Sequence, residues 1–253
     1  MLDRASKCHR LLFLDCSCQF AAPSLAPPMN ASSKFLDSLT KVSEYRRMTL
    51  RIVVLKPEIA HAYGATLGEE HIASANSRIR IAIQEDTLLL LDLSDVLSIT
   101  PSYLKATLLW ALECGRTEAQ QKSSLKKTRL GSEPLKLFPA VSGCSLDVAS
   151  DIHEFFAGRG LPILHITKRR ADRLLAAQVF GSLDPLLFRT LDALVEKRTA
   201  TAAELAEQSA ESISVNGWNN RLADLHLLRL VTRRREGKFW IYAPVAERIT
   251  LWG

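Results

Sequence analysis

The sequence predicts an α/β fold in two parts, a larger α/β domain followed by a small α+β domain. Over residues 48–180, short and continuously apolar segments alternate with amphipathic segments of helical period, the pattern of a sheet covered by helices. Over residues 184–253, three helical patterns precede the pattern of a basic β-hairpin. With 253 residues, 47% of them hydrophobic, the chain can bury one large core and one small core.

Residues 1–47, which precede both domains, show no sustained apolar period and are predicted to be a disordered leader. A short apolar stretch in this leader is broken by Asp15, so a secretory signal is not expected. The five cysteines of the chain match neither a disulfide framework nor a structural zinc spacing, which favours reduced thiols in a cytoplasmic protein. No apolar run reaches the length that would span a membrane.

The elements of the larger domain are predicted from the order of apolar runs and amphipathic stretches. Strand-length apolar runs such as TLLLLDL occur at 51–55, 87–93, 135–141 and 161–167. Helical periods occur at 67–84, 101–114, 145–160 and 168–180. The first of these helices has Ile72, Ile79 and Ile83 largely on one side. The last one, KRRADRLLAAQVF, is predicted to lead into the linker GSL.

The smaller domain begins with helix start signals. Asp184 can cap free amides and Pro185 suits the first helical position, because its missing N–H costs nothing there. The segment TAAELAEQ opens with a capping box, which predicts a second, short helix. The third helix, SVNGWNNRLADLHLLRL, has Trp218, Leu222 and Leu225 facing inward. Two strands follow, LVTRR and KFWIYA, joined by a tight turn in which Gly237 can take a positive φ.

This order of elements over 184–250 resembles the winged helix-turn-helix domains of bacterial transcription regulators, through TAAELAE, NNRLADLHLLRLV and the hairpin with Gly237 and Tyr242. The resemblance implies that the third helix reads double-stranded DNA and that the hairpin is the wing. Candidate base-contacting positions at the start of the recognition helix are Asn216, Gly217, Asn219, Asn220 and Arg221. Candidate phosphate or minor-groove contacts in the wing are Arg233, Arg234, Arg235 and Lys238.

Other interpretations of the same residues stay open. Trp218, Trp240 and Tyr242 are predicted to be core rather than a base-stacking surface, because they hold the apolar spacing. The arginines of the hairpin could be only a solvated edge that discourages strand aggregation. Winged helices also dock proteins and form dimers, so a protein partner and a second copy of this chain are further candidate partners.

The segment LLLLDLSDVLSITPSYLKATLLWAL resembles the STAS and STAS-like domains of bacteria, as does the earlier AYGATLGEEHIASANSRIR. In the first of these segments, a strand ends in Asp-Leu-Ser and a short loop follows. A helix then begins at the position of the STAS motif Asp-Ser-Ser-Gly. The resemblance spans 50–167 and implies a sensor or interaction domain. Pro101 stands at the place of the phosphorylated serine of anti-sigma-factor antagonists and has no hydroxyl. Thr100 or Ser102 could still be modified, but capping of the helix by Thr100 explains this loop equally well.

No catalytic constellation is found, so neither an enzyme nor a metal or other cofactor is expected. The histidines are scattered without metal-ligand spacing, and the segment 64–68 lacks the Lys-Ser/Thr end of a phosphate loop. Asp92, Ser94 and Asp95 follow a strand, where they could bind a small ligand or simply form loop hydrogen bonds. The net charge of +6 suits a polyanionic partner. We therefore expect a cytoplasmic DNA-binding transcriptional regulator; the alternative is a signalling adaptor that binds a protein through the STAS-like domain.

Overall fold

The computed structural model describes residues 50–82, 86–113, 137–171, 173–209 and 213–253. The predicted leader and four of the five cysteines lie outside these ranges. The described residues of both predicted domains belong to one compact unit. Within them, no helix is both long enough and apolar enough to cross a bilayer.

The predicted mixed α/β class is confirmed by the strands, which form one large sheet and two small ones in the described part of the chain. The strands are β1 (Arg51–Leu55), β2 (His61–Ala62), β3 (Thr87–Asp92), β4 (Ser98–Ile99), β5 (Leu137–Ser142), β6 (Pro162–Arg170), β7 (Arg173–Gly181), β8 (Val231–Glu236), β9 (Phe239–Pro244) and β10 (Ile249–Leu251). The large sheet has the order β1-β3-β5-β6-β7-β10. Its neighbours are parallel except for the antiparallel pair β6 and β7. β2 pairs with β4, and β8 pairs with β9.

Three of the helices in the described part of the chain begin at caps that the sequence predicts, Thr100, Asp184 and Thr201. The helices are α1 (Ala65–Ala82), α2 (Pro101–Leu104), α3 (Leu146–Ala157), α4 (Pro185–Lys197), α5 (Ala202–Gln208) and α6 (Val215–Leu227). α2 continues as a π-helical turn over Lys105–Leu109. The Asp184 carboxylate accepts from two backbone amides of α4, and Thr201 with Glu204 forms the full capping box of α5. These side chains satisfy the amides that a helix start leaves without partners.

The helix predicted over 168–180 is wrong, because this segment forms the end of β6, a turn and most of β7. Ala171 has a φ of 49° in that turn. In β7, Ala177 and Val179 point to one face of the sheet and Phe180 to the other, as the alternation of a strand requires. Pairing with β6 and burial on two faces outweigh the helix propensity of this Leu- and Ala-rich segment.

Both faces of the large sheet are covered by apolar side chains. On β3, Leu89 and Leu91 face the core formed with α1, α2 and α3, whereas Leu88 and Leu90 face the core formed with α4 to α6 and the β8–β9 hairpin. All four leucines are at most 1% exposed, which explains why this strand is apolar without interruption. The C-terminal helices and hairpin therefore share a continuous core with the parallel sheet.

The chain returns to the large sheet after the hairpin. β10 pairs in parallel with β7, with Ile249 opposite Ala177. Trp252 follows, and its ring lies 4.5 Å from His153 and 5.2 Å from Phe180 between centroids. β10, which follows the β8–β9 hairpin, is thus an edge strand of the sheet whose other strands come from residues 51–181.

Candidate nucleic-acid interface

The start of α6 presents short polar side chains to solvent. Ser214 caps the helix, its hydroxyl accepting from the Gly217 amide at 3.2 Å. Trp218 is 3% exposed, whereas Asn216, Asn219 and Asn220 are all exposed. The helical period therefore separates a buried apolar side from an exposed asparagine side, as the sequence predicts.

Gly217 lies where the connector before α6 passes close to the helix. A Cβ at this position would lie 2.6 Å from Cγ2 of Ile213, which is shorter than the contact distance of two non-bonded carbon atoms. The absence of a side chain thus lets the connector pack on the first turn. Arg221, one turn further on, is partly buried, with its Cζ 5.9 Å from the ring of Trp218.

The C-terminal end of α6 is anchored to the large sheet. His226 is 5% exposed, its Nδ1 lies 3.0 Å from the carbonyl oxygen of Val231, and its ring lies 6.1 Å from that of Phe138 on β5. Arg229 is 2% exposed and places its Cζ 5.6 Å from the same Phe138 ring. One end of the helix is thus fixed in the core while the asparagine end is exposed.

One face of the β8–β9 hairpin combines arginines with aromatic rings. Arg233 is directly opposite Tyr242, and Arg235 is directly opposite Trp240. Directly opposite residues of antiparallel strands share a face, so these four side chains lie on one side of the hairpin. The Cζ of Arg233 lies 4.4 Å from the centroid of Trp240, a cation–π contact.

The other face of the hairpin carries Arg234, opposite Ile241, and Glu236, opposite Phe239. Arg234 pairs with Glu236, with 2.9 Å between Nη2 and Oε1. This pairing offsets the charge of Arg234. The alternation of the strand therefore places Arg233 and Arg235 on one face and Arg234 on the other.

Tyr242 joins the arginine face of the hairpin to α6. Its hydroxyl donates to Oδ1 of Asn219 at 3.4 Å, and the residue is 1% exposed. Its backbone pairs with Ala200, with 2.9 and 3.0 Å between the two N and O pairs. Burial raises the pKa of Tyr242, while the adjacent Arg233 guanidinium opposes this shift by charge and as a hydrogen-bond donor. Asn219, Arg233 and Arg235 therefore belong to one surface.

The turn of the hairpin is exposed. Gly237 has a φ of 59°, and Lys238 and Arg235 beside it are both exposed. Arg235 donates from Nε to the carbonyl oxygen of Gly237 at 3.3 Å. Among the predicted wing residues, Arg235 and Lys238 are thus exposed cations at the turn. Arg233 lies on the aromatic face of the hairpin, and Arg234 lies on the opposite face.

A second group of cations lies at the tip of the β6–β7 hairpin. Lys168, Arg169 and Arg170 are exposed there. Glu247 forms ion pairs with Arg173 of β7 and with Arg198, the latter at 3.9 Å. Glu247 follows β9 at the end remote from Gly237, so this group is separate from the turn of the β8–β9 hairpin.

The loop that resembles the STAS motif is held by hydrogen bonds. The Thr100 hydroxyl accepts from the amides of Gly64 and Tyr103, at 3.1 and 3.5 Å, and donates to the Ala62 carbonyl oxygen at 3.3 Å. Pro101 follows at the first helical position. Thr100 therefore acts as the cap that the sequence suggests, and phosphate on its hydroxyl would remove the proton that it donates to Ala62.

The acidic residues after β3 form loop contacts. Asp92 accepts from the Ser94 amide at 3.2 Å, and Asp95 pairs with Lys56 at 2.8 Å. Nearby, Ser98 lies 2.8 Å from both His61 Nδ1 and the Tyr63 hydroxyl. Sequence reasoning missed this last cluster, because Ser98 is more than thirty residues from His61 and Tyr63 and the three follow no motif.

The described residues contain no group of three or more His, Cys, Asp or Glu side chains placed to hold a metal ion. Cys144 is a free thiol, and burial raises its pKa to about 12. Such a thiol is not a nucleophile at neutral pH, since the thiolate is the reactive form.

Comparison with protein-family models, with curated proteins and with solved structures found no match for this chain. The function is therefore inferred from the surface formed by α6 and the β8–β9 hairpin.

Proposed function

We propose that the protein is a DNA-binding transcriptional regulator, in which α4 to α6 and the β8–β9 hairpin form a winged helix-turn-helix. The parallel-sheet part would be a STAS-like sensor or interaction domain. The observation that carries the proposal is the Tyr242–Asn219 contact, because it joins the exposed asparagine side of α6 to the arginine face of the hairpin. A helix and a cationic hairpin on one surface suit the major groove and the adjacent phosphates of duplex DNA.

The chemistry of the two parts is complementary. Asn216 and Asn220 are short and exposed, and an amide can both donate to and accept from a base edge. Arg235 and Lys238 supply exposed cations at the turn, where phosphate contacts would fix the position of the helix. The apolar side of α6 is already buried in the core, so folding does not account for the exposed amides.

Such a regulator acts by binding equilibrium, and its core offers a route for control. α6 touches β5 through His226 and Phe138, so a ligand or partner that displaced this strand would also displace the recognition helix. Control then requires the ligand to bind the two arrangements with different affinity. This arrangement supports a sensor role for the sheet part.

A second candidate function is a signalling adaptor that binds a protein partner. It is favoured by two large apolar side chains near the carboxyl ends of the parallel strands, Leu97 at 66% exposure and Leu146 at 76% exposure. Exposed apolar side chains of this size are typical of protein-binding surfaces when they form a patch.

The test measures the affinity of the full chain for duplex DNA at several salt concentrations. It compares alanine variants of two adjacent arginines, one from each face of the hairpin. Arg235→Ala should weaken binding to all duplexes and lower the slope of log affinity against log salt by about 0.9, the value for one phosphate contact. Arg234→Ala should change the slope less, because Arg234 pairs with Glu236 on the opposite face.

Asn220→Ala tests base reading separately. It should cost about 1–3 kcal/mol on a duplex selected by the protein and leave non-specific binding unchanged. If the Asn220 variant binds the selected duplex as tightly as the wild type, α6 does not read bases. If the wild type binds no duplex at low salt and instead binds a protein partner in stoichiometric amount through Leu97 and Leu146, the adaptor function replaces the regulator function.

A further inference from the structure

We infer that Asn219 contacts DNA as a hydrogen-bond donor only, because the contact with Tyr242 turns the carbonyl oxygen of its side chain inward. This inference rests on the proposed function and deepens it, since it states what kind of base edge one position of α6 can contact. It follows from the direction of the hydrogen bond between Tyr242 and Asn219.

The direction of this bond is fixed by the chemistry of the groups. Arg233 lies directly opposite Tyr242 in the hairpin, and a guanidinium has no acceptor for the Tyr242 proton. The hydroxyl has a single proton, and at 1% exposure the residue has little access to water. That proton is therefore donated to Asn219, 3.4 Å away, which requires the Oδ1 atom to face inward.

The outward group of Asn219 is then its NH2. The residue is exposed on the asparagine side of α6, so this group can reach a base edge. Acceptors in the major groove are N7 and O6 of guanine, N7 of adenine and O4 of thymine, whereas cytosine presents only its amino donor. An outward NH2 can therefore contact any base except cytosine, and the paired contact with adenine, which also needs an outward acceptor, is reduced to one hydrogen bond.

The same contact makes Tyr242 a positioning residue for Asn219. Tyr242 is itself held by the hairpin, directly opposite Arg233. The hairpin would thus affect base preference in α6 as well as contact with phosphate. A wing that only contacted phosphate would have no effect on the preferred base.

The experiment is selection of duplexes from a randomised pool by the full chain, followed by affinity measurement on single-base variants. The wild type should disfavour cytosine at one position by roughly tenfold relative to the other three bases. Tyr242→Phe removes the hydroxyl, so the Asn219 amide can turn and the discrimination against cytosine should fall below about threefold.

Asn219→Asp is the second variant, and it leaves the core intact because Asn219 is exposed. It places an acceptor outward, so the preference at the same position should move to adenine or cytosine, which present amino donors. Asn220→Asp, one residue further along α6, provides the comparison, because any change that it causes should fall on a different base position.

A readout without DNA completes the test. The side-chain NH2 resonances of Asn219 should shift in Tyr242→Phe, and those of Asn220 should stay in place. If the wild type selects a sequence but neither Tyr242→Phe nor Asn219→Asp changes the discrimination against cytosine at any position, the inference is wrong and the proposed function stands. If the wild type binds no duplex in preference to another, the proposed base reading itself fails.

Discussion

His165 lies on β6 with its ring stacked on Phe180, 4.7 Å between centroids. Burial lowers its pKa below 6.5, although a hydrogen bond with Gln178 opposes the shift. The native pKa is therefore below the unfolded one, so the unfolded chain binds the proton more tightly. The stability that neutral His165 contributes is present above pH 6.5 and is lost as the pH falls through the native pKa.

We predict that His165→Asn, which does not titrate, loses less stability than the wild type when the pH is lowered from 7.5 to 5. The measurement is urea unfolding at both pH values, with each variant compared with itself so that the packing lost in the substitution cancels. An equal loss of unfolding free energy in both proteins would show that His165 does not contribute to the pH dependence.

At the scale of elements, the β8–β9 hairpin depends on the turn at Gly237. The φ of Gly237 is 59°, and an added Cβ would meet no atom within 4 Å. A substitution there therefore acts through backbone strain alone, which makes the site a clean test of the hairpin. Gly237→Val should cost about 1–2 kcal/mol, because a branched side chain is disfavoured at positive φ.

Gly237→Asn is the matched control, since asparagine tolerates this backbone region. Thermal unfolding measures the cost, and duplex affinity measures what the hairpin contributes to binding. We expect Gly237→Val to weaken binding more than Gly237→Asn does. Equal affinities, together with the expected loss of stability, would show that the hairpin turn makes no contact with DNA.

The helices and strands show which features the sequence can predict. The buried side of α6 follows from the spacing of Trp218, Leu222 and Leu225, and all three are buried. The caps at Asp184 and Thr201 were also predicted, because capping depends on residues close in sequence. Local patterns therefore sufficed where local contacts decide the structure.

Non-local pairing was not predictable in the same way. The segment 168–180 is Leu- and Ala-rich enough for a helix, and pairing with β6 and β10 makes most of it a strand. Which face of the hairpin carries Arg233 and Arg235 depends on the register of β8 against β9, because a shift by one residue would exchange the faces. The Tyr242–Asn219 contact joins residues 23 apart and has no sequence signal.

At the scale of the whole molecule, the two predicted domains share one apolar core. Phe138 and Ala140 of β5 belong to the same cluster as Leu222 and Leu225 of α6. β10 extends this connection, because Ile249 is 4% exposed and opposes Ala177 of β7. Loss of packing at the C-terminal strand should therefore affect both parts of the molecule together.

We predict that Ile249→Ala lowers the free energy of unfolding by about 2–5 kcal/mol, the range for truncating a buried isoleucine. Thr250→Ala is the matched control in the same strand, since Thr250 is exposed and its loss should cost less than about 0.5 kcal/mol.

The measurement is urea unfolding followed by the fluorescence of single-tryptophan variants. One variant retains Trp110, directly after the π-helical turn in the helical segment that covers the parallel sheet, and the other retains Trp218 in α6. In Ile249→Ala both signals should shift to the same lower midpoint, because the shared core unfolds as a unit. A shift of one signal without the other would contradict this and would show that the two parts unfold independently.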